Sequence, residues 1–177
     1  MEAQMLWVTR SKIRVNRAAT GWLVRRFIDP DASFRFVEAA DVAQFQANHG
    51  AIGFDAPGAR YPHKDPRGRC SFEMLVDQYR PGDSALRELA GIVHSADFPA
   101  ETDPSGMEQR GAGIGTWDTI SLVASVRSLC ARPLPPPEAV GLRAIARGFP
   151  LVAADDQETL ERSAFLYDAL YASIRGS

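Results

Sequence analysis

From Ser71 onward, apolar side chains return at every third or fourth position, a spacing that an α-helix gathers into one buried stripe. Phe72, Leu75, Val76 and Tyr79 form a first stripe, and Leu86, Leu89, Ile92 and Val93 a second, with Ser84 placed to cap the second helix. The same spacing runs over residues 116–131 through Trp117, Ile120, Val123 and Ala124, until the prolines of residues 132–137 break it. Two more helices are predicted over 138–147 and 157–174, the second carrying Leu160, Ala164, Tyr167, Leu170 and Ile174 behind the acidic pair Asp155 and Asp156. Consecutive stripes of this kind are buried by packing helix on helix, so this part of the chain is predicted to be a bundle of about five helices.

The N-terminal part reads differently. Residues 4–10 make a short apolar run, and residues 33–37 alternate Phe34 and Phe36 with polar neighbours, so both are predicted strands. Between them, residues 18–28 carry Trp22, Leu23, Phe27 and Ile28 at helical spacing, and Asp29-Pro30 ends that helix because a residue before proline avoids the helical region. A further short helix is predicted over 41–48. The fold class is therefore α+β, mainly α, in one domain over residues 1–177. Residues 50–69 and 98–115 lose periodicity and are rich in Gly, Pro and charge; loops of that length are expected to wall a site.

Charge narrows the partners. The formal net charge is −2 and the pI near 5.9, which supplies no general field for phosphate backbones or anionic lipid, so nucleic acid is disfavoured. There is no apolar run of the roughly 18 residues that a membrane span needs, and no cationic leader, so a cytoplasmic protein is expected. The two cysteines, Cys70 and Cys130, lie far apart without a C-x-x-C pair, and suggest no disulfide framework. No P-loop or G-x-G-x-x-G follows a strand, so no nucleotide cofactor is indicated, and the glycines at 111, 113 and 115 read as a flexible run. No serine stands in a G-x-S-x-G setting. A homo-oligomer is left open.

Two clusters could carry chemistry. Arg10, Lys12, Arg14, Arg17, Arg25 and Arg26 crowd the first helix and its approach, where guanidinium forks could grip an oxyanion or pair with Asp29, Asp31 and Glu38. The second cluster is His63, Cys70, Glu73, His94 and Asp97, with His94 and Asp97 three apart on one helix face and Glu73 on the preceding helix. Two imidazoles and two carboxylates suit a divalent iron, manganese or zinc ion, whereas the bland alternative makes His94 a hydrogen-bonding group and Glu73 a surface residue. Cys70 reads as a small buried apolar group. Tyr167 and Tyr171 stand one turn apart in Tyr167-Asp168-Ala169-Leu170-Tyr171 and read as core with hydroxyls at the rim.

Five stretches, in order along the chain, resemble the C-terminal domain of the ChrB-type chromate-resistance family. They are Trp7-Val8-Thr9-Arg10; Trp22-Leu23-Val24-Arg25-Arg26-Phe27-Ile28-Asp29; Cys70-Ser71-Phe72-Glu73; His94 with Ala96-Asp97; and residues 167–171. The resemblance implies a place in chromate resistance as a regulator or accessory. The sequence departs from the family pattern where relatives read Asp-Arg, two residues, then Cys-Pro-Trp: here stand Asn16-Arg17, then Thr20-Gly21-Trp22. Residues 99–137 read as an extension, and the chain as a stand-alone copy of the domain. The expectation is a divergent family member acting as a mononuclear metalloenzyme on a small, anionic molecule. His63, Glu73, His94 and Asp97 are then candidate metal ligands, and Arg10, Arg17, Arg25, Tyr167 and Asp168 candidate anion- or substrate-binding groups. The rival expectation is a chromate- or sulfate-like oxyanion-binding or sensing module without turnover. A third is an accessory that binds a partner through exposed apolar helix faces.

Overall fold

The computed structural model describes residues 5–99 and 134–176. A small parallel sheet stands at the N-terminal end, with strand order β2-β1-β3, where β1 is Leu6–Arg10, β2 Ser33–Val37 and β3 Ile52–Gly53. Trp7 lies opposite Phe34 on one side and Ile52 on the other. Three successive residues of β1, Trp7, Val8 and Thr9, are wholly buried, the mark of a central parallel strand covered on both faces. Trp7 packs into the main core, while Val8 packs with Val42, Ala51, Ala56 and Ala59 beneath helix α2, Val42–His49.

Helix α1, Val15–Leu23, connects β1 to β2 and continues as a π-helical turn, Val24–Ile28, before Asp29 takes an extended conformation ahead of Pro30. Every residue of α1 is buried. It is the hub against which α3 (Ser71–Tyr79), α4 (Ser84–Asp97), α5 (Pro137–Val152) and α6 (Asp156–Gly176) assemble. Gly21 lets α6 lie close to α1: a Cβ there would meet Leu160 Cδ1 at 2.3 Å, so that side chain would have to shift. The mainly α, α+β architecture agrees with the sequence reading.

Several boundaries differ from expectation. The first helix starts at Val15, earlier than residue 18, because the buried residues Val15, Ala18 and Ala19 already belong to its apolar face. The cap of α4 is Asp83, whose carboxylate accepts the Leu86 amide at 3.0 Å, and Ser84 is the first helical residue. Helix α5 runs on through Pro150 to Val152. Residues 50–69 are not structureless: they open with β3, bridge Phe54 to Tyr61, and close with a turn in which Gly68 has φ +84°. A strand of two residues is too short for alternation to reveal it. The predicted helix over 116–131 and all but the first residues of the predicted 98–115 loop lie outside the described residues. Among the described residues, no helix is long and apolar enough to cross a membrane.

Candidate functional site

The parallel strands deliver their carboxyl ends to one edge of the sheet, where open sheets flanked by helices commonly place their ligands. Arg10 ends β1, Asp55 follows β3, and α1 begins nearby with Asn16 and Arg17 in its first turn. Asp55 is the centre of this edge. It is wholly buried and has φ +53°, a left-handed conformation that aspartate tolerates better than most residues.

Four side chains converge on its carboxylate. Arg17 donates to Oδ2 at 2.7 Å and Arg10 to the same oxygen at 3.3 Å; Asn16 donates to Oδ1 at 2.8 Å and His63 Nδ1 to the same oxygen at 2.6 Å. Arg10 Nε also donates to the Asp55 carbonyl at 2.9 Å, and Arg17 Nη2 to the Lys12 carbonyl at 2.7 Å. Burial pushes the Asp55 carboxyl up, but the His63 hydrogen bond and the Arg17 charge outweigh it and hold it below the usual carboxylate range. The carboxylate is therefore ionised, so Nδ1 of His63 must carry the hydrogen between them. The same hydrogen bond raises the His63 pKa, against a smaller opposing effect of burial. Asp97 lies 3.7 Å from His63 Nδ1; its Oδ2 is buried without a hydrogen-bond partner, and burial, then the nearby Asp55, raise its pKa.

A second cluster forms where α3 starts opposite α4. Cys70 caps α3 in an uncommon capping box: its sulfur accepts the Glu73 amide while Glu73 Oε2 accepts the Cys70 amide at 2.7 Å. The same Oε2 accepts from His94 Nδ1 at 2.8 Å. Burial raises the Glu73 pKa, but these two hydrogen bonds more than offset it, so the carboxylate is held ionised. Burial and then the Glu73 charge push the Cys70 thiol well above its ordinary value. Cys70, Glu73 and His94 each offer a ligand atom within 4.8 Å of the others, and so do Asp55, His63 and Asp97.

The four predicted metal ligands thus do not form one set. Glu73 and His94 join Cys70, whereas His63 and Asp97 join Asp55. Phe98 stands between the two clusters, its ring centroid 4.8 Å from each imidazole. The Asn16 side chain ties Asp55 to the first turn of α3, beside Cys70. While its amide nitrogen donates to Asp55, its Oδ1 accepts from Ser71 Oγ at 3.2 Å and the Phe72 amide at 3.3 Å. Thr20 donates to the same oxygen at 3.4 Å. Of the three positions that depart from the family pattern, Asn16 and Thr20 therefore sit inside the site, while Gly21 faces Leu160 on α6. An amide at position 16 can donate to one side and accept from the other, which an ionised carboxylate cannot.

The predicted anion-binding residues divide as well. Arg10 and Arg17 are at the site, but both are engaged by Asp55. Arg25 lies over the Phe34 ring at 5.1 Å and, with Asp168, lines a separate groove of about 200 Å³. Asp168 accepts from Trp22 Nε1 at 2.9 Å, and Tyr167 is wholly buried with its hydroxyl donating to the Val15 carbonyl at 2.8 Å. These residues fasten α6 to α1. The sequence singles out Asn16 only as a departure from the family pattern, and does not single out Asp55 or Phe98; the available signal for Asp55 was an acid between Phe54 and Ala56 in an apolar setting.

Residues 7–118 match the model of a family described as ChrB, C-terminal domain. Over 110 residues the chain is 38% identical to Protein ChrB of Cupriavidus metallidurans, an alignment that covers 60% of this chain and 32% of that protein. The match thus spans roughly a third of that relative's length. Both clusters fall inside the family match, and residues 167–171 fall outside it. No solved structure matches the chain.

Proposed function

The chain belongs to the family of ChrB C-terminal domains, the ChrB-type chromate-resistance family, and from that premise we propose that it is a metal-binding enzyme domain acting on a small molecule. The observation that carries the reading is the convergence of Cys70, Glu73 and His94, with their ligand atoms within 4.8 Å of one another. Sulfur, carboxylate and imidazole together form a donor set that suits zinc or iron, and the presence of a thiol argues against manganese. Three protein ligands leave a coordination position for water or substrate, as catalytic sites require. When bound, the ion would supply Lewis acidity and a bound water acidified toward neutral pH.

The donor chemistry fits. Burial and the neighbouring carboxylate raise the thiol's pKa, and a cation at the same place would reverse that preference. A thiol, a carboxylate and an imidazole are the donors of a cation, not of an oxyanion, so the Cys70, Glu73 and His94 set favours a cation as the first guest. The oxyanion-binding reading is supported by a narrower observation: the Arg10 side chain is 34% exposed, the guanidinium of this edge that solvent can reach. It is best joined to the first reading, with Arg10 meeting an anionic group of the substrate.

Elemental analysis of protein purified without chelator tests the proposal. The expected result is about one zinc or iron per chain, lost in His94→Ala and kept in Arg25→Ala, whose side chain lies in the separate groove. Equal metal in the His94 and Arg25 variants would remove the ligand assignment.

A further inference from the structure

We propose that His63 is the proton-transfer group of this site, positioned by Asp55, and is not a ligand of the cation. This rests on the metal-site reading and deepens it, because it gives the Asp55 cluster a task separate from metal binding.

Asp55 is poorly placed to ligate a cation. Its Oδ1 already accepts from Asn16 and His63, and its Oδ2 from Arg17 and Arg10. An incoming metal ion would compete with two guanidinium charges for the same oxygens. A carboxylate locked in this way can instead hold an imidazole. In the neutral ring, the hydrogen held at Nδ1 leaves the lone pair on Nε2, and Nε2 has no hydrogen-bond partner among the described residues. The side chain is 41% exposed, so water or a substrate can reach it. Phe98 packs against the ring, and because the same phenyl packs against His94, His63 stands one aromatic side chain away from the proposed cation site.

The arrangement has the parts of an acid–base group. An orienting carboxylate fixes the tautomer, and the ring presents one basic nitrogen. In the step it would perform, the O–H bond of a water or substrate hydroxyl breaks as an Nε2–H bond forms, while Nδ1 keeps its own hydrogen. The imidazolium is balanced by the ionised Asp55, and the reverse transfer from Nε2 to an oxygen of the same water or substrate restores the neutral ring. No proton is gained or lost over the cycle.

The chain has three histidines, His49, His63 and His94, which makes a direct test practicable. Long-range proton–nitrogen spectra of the full chain, with and without zinc, report the tautomer of each ring, and diethyl pyrocarbonate reports the reactivity of each free Nε2. The expected result is a His63 ring in the Nδ1–H form that is modified in zinc-loaded protein while His94 is protected. His63→Gln should keep its zinc, and Asp55→Asn should mix the tautomers and slow His63 modification several-fold. A metal-bound nitrogen shift at His63, or zinc loss in His63→Gln matching that of His94→Ala, would overturn the proposal. Should Asp55→Asn fail to fold, the wild-type spectra and His63→Gln decide. Wild-type protein that binds no zinc but keeps the Nδ1–H form at His63 would sink the metal reading and still support the Asp55–His63 pairing.

Discussion

At the scale of single residues, Asp55 organises more of this protein than any side chain the sequence singles out. Its burial would be costly for an unpaired charge, and it is tolerated because Arg17, Asn16, His63 and Arg10 satisfy it. The converse also holds, since the Arg17 side chain is only 9% exposed and depends on Asp55 for its counter-charge. A linkage effect follows. His63 has its folded pKa raised above the ordinary 6.5, so the stability its pairing contributes is fully present below about pH 6.5 and is lost as pH rises through the folded value. The effect is modest, because a ring two-fifths exposed is partly screened by solvent. Denaturant melts across pH 6 to 9 should therefore show a loss of stability that is absent in His63→Gln; parallel profiles would count against the pairing.

At the scale of elements, the site depends on how helix starts are fixed. Helix α3 is capped by Cys70 and Glu73, which are also two of the three proposed ligands, so the residues that begin the helix also aim the site. Helix α6 is fixed at the far end of the chain by Asp156. Its two oxygens accept the Lys12 amide at 2.9 Å and the Ile13 amide at 2.7 Å, tying α6 to the turn between β1 and α1. That turn contains Lys12 at φ +61° and supplies the carbonyl that Arg17 grips. Asp156→Ala is expected to cost about 1–3 kcal/mol through the two amides left without a charged acceptor. It should also loosen the Arg17–Asp55 edge, which amide exchange at Lys12 and Ile13 would reveal. Unchanged exchange there would show that the tie does not matter.

At the scale of the whole molecule, the helical bundle and the strand–helix–strand opening were legible because apolar spacing over many residues records which face is buried. The sheet's third strand was not, since Ile52 and Gly53 are too few to show a period. The histidines and acids of the site were legible as residue types, and His94 with Glu73 as neighbours across two helices. Their division into two clusters was not legible, because it depends on Asp55, which reaches the site through a left-handed backbone position after a two-residue strand. Arg25, Tyr167 and Asp168 looked chemically suited to an anion, yet they are occupied in joining α1 and α6 or in packing on Phe34. Charge at a helix surface does not by itself say which cavity it faces.

The central claim, a cation held by Cys70, Glu73 and His94, is tested most directly by X-ray absorption spectroscopy on the zinc-loaded chain. The result expected is one sulfur at about 2.3 Å with nitrogen and oxygen ligands at about 2.0–2.2 Å, the sulfur disappearing in Cys70→Ser. A shell of nitrogen and oxygen alone in the wild-type protein would contradict the assignment and place any bound metal elsewhere.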